Sequence, residues 1–342
     1  RLSLRAVASA STSFSMGASS RSLPVAILVT PGTREANNGN WRTARRWAGF
    51  LSGFARTIVQ TEWDGTPADV LIAVHARRSA GSVARFKAAF PDRRLVLVLS
   101  GTDLYRDLPS SPEARRSLEL ADRIVVLQED AVGHVPREFR RKCVVVHQSA
   151  NLLATRAKPR GRIDCAVVGH LREEKDPRTL WRALEQLDPS LPVRIRHVGD
   201  ALDPALALEA RAVMARDPRY RWLGALPHGL ARGVIRDAHL LIHPSLMEGG
   251  ANVIVEAILS GTPVLASRVS GNIGMLGSRY PGYFEVGDAK GLARALARLC
   301  AAPSALRALS VACRERRFLF SPATERAAVR ALVSAPARKA RR

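Results

Sequence analysis

Apolar residues recur along this chain in short unbroken runs. The runs at 23–30, 56–60, 69–75, 94–100, 123–128 and 142–147 are each of strand length and carry no polar alternation. Such runs predict strands buried on both faces of a parallel sheet. Between most of them lie segments with apolar positions at helical spacing, including 40–53, 79–89 and 111–121. Residues 151–161, Asn151 to Gly161, read as a linker. The alternation then restarts, with strands expected at 163–168, 193–198, 220–223, 239–243, 262–266 and 282–286, and a helical tail over 303–334. Two serial runs of strand and helix predict an α/β protein of two doubly wound, Rossmann-like domains facing a cleft. Ligands of such sheets sit beyond the carboxyl ends of the strands, so the loops there are where chemistry is sought.

The expected division is a leader at 1–22, a first domain at 23–158, a second at 159–318, and a helix with a basic tail at 319–342. The leader is rich in Ser, Ala and Arg without an acidic residue, as in a transit peptide. With Met16 just upstream of the first strand and no initial methionine, an overextended or incomplete start is the expected account. At 342 residues and 46% apolar composition the chain has enough core for two domains. No apolar run is of membrane-spanning length, so no stable membrane insertion and a cytoplasmic location are expected. Cys143, Cys165, Cys300 and Cys313 lack paired spacing and read as reduced core thiols, with no metal site.

The formal charge of +23 asks for an anionic partner or a compositional cause. Lysine occurs only at 87, 142, 158, 175, 290 and 339, so arginine supplies nearly all of the 53 basic residues. Arginine with abundant alanine often follows genome composition. The arginines are dispersed over amphipathic helices and aromatic residues are few, which argues against nucleic acid.

The most specific string is Pro244-Ser245-Leu246-Met247-Glu248-Gly249-Gly250-Ala251-Asn252-Val253-Ile254-Val255-Glu256. It predicts a strand end, a glycine loop and a helix whose first N–H groups face the loop and attract phosphate. Glu256 then sits about one turn into the helix and Glu248 on the loop. Two carboxylates flanking an anion site suit a ligand with a diol at each end and a diphosphate between. Upstream, Gly169-His170-Leu171-Arg172-Glu173-Glu174-Lys175-Asp176-Pro177 follows the first strand of the second domain. Lys175 with Arg172 or His170 offers cations for a diphosphate. Gly199 ends a further strand, and Leu223 to Leu226 follow a short one.

In the first domain, Asn38-Gly39-Asn40-Trp41-Arg42 forms a loop leading into a helix that Asn40 can cap. Trp47 reads as core on that helix, although a membrane-surface helix has a similar pattern. His75-Ala76-Arg77-Arg78-Ser79 ends the third strand, where two arginines beside a helix start can clamp a small phosphate. Thr102-Asp103 follows the fourth strand. Asp103 serves equally as a ligand contact or as a helix cap. Gln128, Glu129, Gln148 and Ser149 at later strand ends are further cleft candidates.

These strings resemble glycosyltransferase family 4, whose members carry the paired glutamates with seven residues between them and have the GT-B fold. The resemblance implies that Glu256 holds ribose hydroxyls and that Glu248 faces the donor sugar. It implies that Gly249, Gly250, Ala251 and Asn252 hold sugar hydroxyls and phosphate through their backbone, with Gly169, Gly199, Leu223 and Leu226 lining the nucleotide. Glu248, Lys175, Arg172 and His170 then form the catalytic group. The family's loop after the first strand of the second domain has arginine where this chain has His170, and its histidine before the Gly-x-Asp loop is replaced by Ser100.

Asn38 to Asn40, His75 to Ser79, Gly101 to Arg106, Val168 to Pro177, Met247 to Asn252 and Gly271 to Gly277 together look like one branch of that family, the selenosugar synthases of selenoneine biosynthesis. In that branch His170 is no anomaly. The resemblance implies a UDP-sugar donor, UDP-N-acetylglucosamine foremost, and selenophosphate as acceptor, joined by a carbon–selenium bond. It implies neither cofactor nor metal, and a functional link to other enzymes of that pathway. A small anionic nucleophile needs cations more than a strong base, which makes Arg42, Arg77 and Arg78 acceptor candidates together with Asn38, Gly39, Asn40, His75, Thr102 and Asp103. Two other readings stand beside it: a family 4 enzyme acting on a lipid-linked or saccharide acceptor at a membrane surface, and a basic nucleic-acid-binding or sugar-sensing module without catalysis.

Overall fold

The computed structural model describes residues 22–32 and 39–334. Every apolar run named above forms a strand within a few residues of its expected limits. The first sheet holds β1 (Val25–Val29), β2 (Arg56–Gln60), β3 (Val70–Val74), β4 (Arg94–Val98), β5 (Arg123–Val126) and β6 (Cys143–Val145). Its order is β2-β1-β3-β4-β5-β6, all parallel. The second holds β7 (Ile163–Val168), β8 (Val193–Val198), β9 (Tyr220–Trp222), β10 (Leu240–His243), β11 (Val264–Ser267) and β12 (Tyr283–Phe284). Its order is β12-β11-β10-β7-β8-β9, again parallel. This is the doubly wound arrangement in duplicate, the GT-B fold.

Helices cover the sheets: α1 (Gly39–Leu51), α2 (Ala80–Ala89), α3 (Pro112–Leu120), α4 (Ala131–His134), α5 (Pro177–Gln186), α6 (Pro204–Arg216), α7 (His228–Asp237), α8 (Asn252–Leu259), α9 (Ser270–Leu276), α10 (Ala289–Ala301), α11 (Pro303–Glu315) and α12 (Pro322–Ser334). Central strands such as β3 and β4 are buried at every position because helices lie on both faces. Local chemistry sets several starts. Ser111, Asp176, Asp203 and Asp288 cap α3, α5, α6 and α10 with side-chain oxygens, three of them with proline at the first helical positions. Asp176 does so from a left-handed backbone, φ 45°.

α12 lies on α1 of the first domain, its Val329, Leu332 and Val333 joining the core beside Trp47 and Leu51. Glu325 of α12 is buried and accepts hydrogen bonds from Trp47 Nε1 at 2.8 Å, Arg46 Nε at 3.0 Å and Ser149 N at 2.6 Å. The apolar face of α1 is therefore covered by protein, and Arg326 and Arg330 of α12 stack on Phe50 and Phe54. Among the described residues no single helix is long and apolar enough to cross a membrane.

Candidate functional site

β10 delivers the paired-glutamate segment to the interdomain face. His243 ends the strand, Glu248 and the glycines form the loop, and α8 starts at Asn252. Ala251 occupies the N-cap and gives α8 no side-chain cap hydrogen bond, so among the described residues no capping side chain occupies the first N–H groups of this helix. Glu256 falls just over one turn into α8, buried at 3% exposure.

Glu248 is the centre of a buried charge cluster. Lys175 Nζ pairs closely with its Oε1, and His243 Nε2 lies 3.0 Å from the same atom. Burial acts to raise the Glu248 pKa, but Lys175 and His243 outweigh it and hold the carboxyl well below its ordinary value. Burial pushes His243 down, with Glu248 opposing. His243 therefore serves as a neutral donor to a carboxylate. Lys175 comes from the 3-10 turn Glu173–Lys175, and its aliphatic stem runs along Gly169. Gly169 and Gly199 bring two strand ends into backbone contact; a Cβ on Gly199, at φ 153°, would lie 1.9 Å from Gly169 O. His170 accepts a hydrogen bond from Asp200 N at 3.1 Å, and burial lowers its pKa, with Arg172 adding to the effect. Arg172 is half exposed and its Nε is 3.9 Å from Glu174 Oε2. Leu223 is exposed and Leu226 half-buried on the approach to α7.

The glycines have a second duty. A Cβ on Gly249 would lie 2.3 Å from Ser100 O, and one on Gly250 would lie 2.7 Å from Leu127 Cβ. The glycine loop is thus pressed against the first domain as well as opening toward the cleft. On the far side, Gly271 passes beneath Glu248, where a Cβ would meet Glu248 O at 2.0 Å. Tyr105 hydroxyl bonds Ser270 Oγ at 2.9 Å across the domains, and Arg106 Nη1 pairs with Glu174 Oε1 at 2.8 Å.

Several first-domain assignments are revised by this geometry. Asp103, with no exposed surface, spends its carboxylate on backbone N–H groups: Ala76 at 2.9 Å, Ser100 at 2.9 Å, Gly101 at 2.8 Å and Leu104 at 3.1 Å. It knits the ends of β3 and β4 and is no acceptor ligand. His75 is also buried, held at a left-handed φ of 77°, with Nε2 3.2 Å from Thr102 Oγ1 and Nδ1 accepting from Arg78 N at 3.3 Å. Its ring is occupied inside the first domain, and Thr102 is its partner. Arg77 pairs with Asp107 at 2.9 Å, which leaves Arg78 as the more available of the two exposed arginines. Arg42 lies not with them but against Glu256, at 2.9 Å. Asn40 is inside the first turn of α1, which begins at Gly39, so it is not the cap. Asn38 lies outside the described residues. Gln128, Gln148 and Ser149 are buried in contacts with Tyr105, Thr43 and Glu325.

Two histidines belong to the site without having been singled out. His243 is the last residue of a strand pointing at the cleft, and His228 opens α7 with Nε2 2.7 Å from Glu256 Oε1. The strand-end position of His243 was the available signal.

Residues 162–302 match the family of glycosyl transferases group 1. The chain is 34% identical over 113 residues to D-inositol 3-phosphate glycosyltransferase of Corynebacterium glutamicum, and equally so to that of Corynebacterium efficiens. These matches span 31% of this chain and 27% of those proteins, about a quarter of their length. Similarity of structure is far wider. Anabaena HepE, solved in complex with UDP, superposes with a TM-score of 0.73 at 16% identity, over 91% of this chain and 100% of that one. Sucrose-phosphate synthase from Thermosynechococcus elongatus gives 0.74 at 17% identity, over 91% and 98%. The chain thus has the GT-B fold, and its second domain matches group 1 glycosyl transferases.

Proposed function

We propose that the chain is a glycosyltransferase that takes its sugar from a UDP-sugar. One observation carries the reading: Glu248 and Glu256 flank the open start of α8, with Lys175 beside the first of them. Glu256 receives the ribose diol. The α8 N–H groups and Lys175 receive the diphosphate and stabilise it as it departs, which supplies the charge compensation a metal would otherwise give. Glu248 faces the transferred sugar. That HepE is a complex with UDP, and in other crystals with glucose or UDP-glucose, supports the choice of nucleotide.

For the acceptor we infer selenophosphate, with UDP-N-acetylglucosamine as donor. The C1–O bond to UDP breaks and a C1–Se bond forms. Arg78 is the candidate cation, assisted by Arg77 when an anion competes with Asp107. This reading rests on the sequence strings of both domains and on arginines at the end of β3, one strand from the Ser100-Gly101 loop that touches Gly249. The covered face of α1 weighs against a membrane-surface acceptor. Incubating purified protein with UDP-N-acetylglucosamine and selenophosphate is expected to yield UDP and a selenium-containing sugar by mass spectrometry. Turnover only with a lipid or saccharide acceptor would refute the selenium reading and leave the donor reading intact.

Glu256→Ala is expected to weaken UDP binding at least about tenfold, the loss of hydrogen bonds to a charged group. Titration calorimetry checks it, and an unchanged dissociation constant removes Glu256 from the nucleotide site.

A further inference from the structure

Glu256 carries more donors than its position requires. Arg42 Nη2 from α1 lies 2.9 Å from its Oε1, and His228 Nε2 from α7 lies 2.7 Å from the same atom. Arg42 Nη2 and His228 Nε2 also touch each other. A single imidazole nitrogen can donate to Glu256 or accept from Arg42, but not both. Arg232 adds a further positive charge to the same surroundings, felt electrostatically by Glu256 and Arg42 alike. One buried carboxylate therefore serves a cluster with too few acceptors, and one of its donors has crossed from the other domain.

The start of α8 is within reach of that donor. Glu256 is four residues beyond Asn252, about 6 Å along a helix. Arg46, one turn after Arg42 on α1, already has Nη1 3.5 Å from Asn252 Oδ1, and a Cβ on Gly39 would lie 4.0 Å from Asn252 Nδ2. The beginnings of α1 and α8 thus face each other, with Arg42 between them and Glu256.

We propose that Arg42 is a donor-phosphate ligand held in reserve on Glu256. In the empty cleft its guanidinium neutralises the buried carboxylate. When a ribose diol takes Glu256, the guanidinium turns to the diphosphate at the start of α8. The direct ion pair between the domains is then replaced by one through the ligand, so donor occupancy and domain contact are coupled. This rests on the reading of the cleft as a UDP-sugar site. Arg42 accordingly leaves the acceptor set and joins the donor set.

The test compares UMP and UDP binding by calorimetry in wild type, Arg42→Ala and Arg42→Lys. UDP is expected to bind wild type more tightly than UMP. Arg42→Ala is expected to weaken UDP about tenfold or more, while UMP changes less than about threefold or tightens because Glu256 has lost a competitor. Arg42→Lys keeps the charge without the fork and falls between. Equal losses for both nucleotides, or no loss for UDP, would overturn the proposal; tighter UDP binding would make Arg42 a mere competitor and overturn it too. Wild type that binds neither nucleotide would sink the donor reading itself, and this inference with it. Should Arg42→Ala fail to fold, Arg42→Gln gives the same comparison.

Discussion

Glu248→Ala is expected to cut turnover by at least about 100-fold, the scale of losing one preorganised electrostatic group, and to cost about 3 kcal/mol of stability. The stability loss follows from the cluster beneath the glycine loop. Lys175 and His243 both direct N–H groups at Glu248 Oε1 from positions that water reaches poorly, with side-chain exposures of 20% and 3%. Without the carboxylate, a largely buried ammonium is uncompensated. UDP binding is expected to change by less than about threefold, because freed Lys175 still faces the diphosphate and Glu256 is untouched. Steady-state release of UDP, calorimetry and thermal unfolding separate the three effects. A variant that turns over normally, or one whose UDP affinity falls as far as its turnover, would remove Glu248 from the role assigned to it.

The acid side of the stability curve reports the same cluster. Glu248 has a folded-state pKa below its ordinary value of 4.5, so its contribution is full above that value and is lost as pH falls through the lower folded one. His243, pushed below its ordinary 6.5 by burial, adds in the same direction, since its protonation favours the unfolded chain. Glu248→Ala should therefore flatten the acid limb of stability as well as lower its plateau.

The strands were legible because a parallel strand buried on both faces is written as an uninterrupted apolar run, and both sheets are made of these. Strand order was not written in any run: β1 lies between β2 and β3, because after β2 the chain crosses back past β1 before it adds the next strand. At the candidate site, the sequence placed Glu248 on a loop before a helix start, Glu256 within that helix and Lys175 on another strand-end loop, and the fold brings Glu248 and Lys175 together. Arg42 with Glu256 and Arg106 with Glu174 could not be read, because each pair closes only when the domains meet, 214 and 68 residues apart along the chain. Asp103 illustrates the converse. A carboxylate at a strand end has the same sequence appearance whether it faces a ligand or four backbone amides, and only the buried amides of Ala76, Ser100, Gly101 and Leu104 decide it.

Gly249→Ala is expected to lower kcat/KM by about 100-fold with a stability loss of only about 1–3 kcal/mol. The added Cβ would lie 2.3 Å from Ser100 O and 2.7 Å from Gly101 N, and no rotamer can relieve a clash with backbone. The opposing surface is equally unyielding, since Gly101 at φ 134° is itself held by Asp103. The glycine loop must therefore withdraw from the first domain, and Glu248, its neighbour, moves with it. Each domain keeps its own core, which is why stability suffers less than catalysis. Nucleotide keeps Glu256 and the start of α8 in the second domain and risks only the proposed Arg42 contact from the first, so UDP affinity is expected to fall by less than kcat/KM. Gly49→Ala, in the interior of α1 with nothing within 4 Å of the new Cβ, is the control and should gain up to about 1 kcal/mol without loss of rate. If Gly249→Ala works as fast as the parent, close apposition of the two domains at this loop is not what assembles the site.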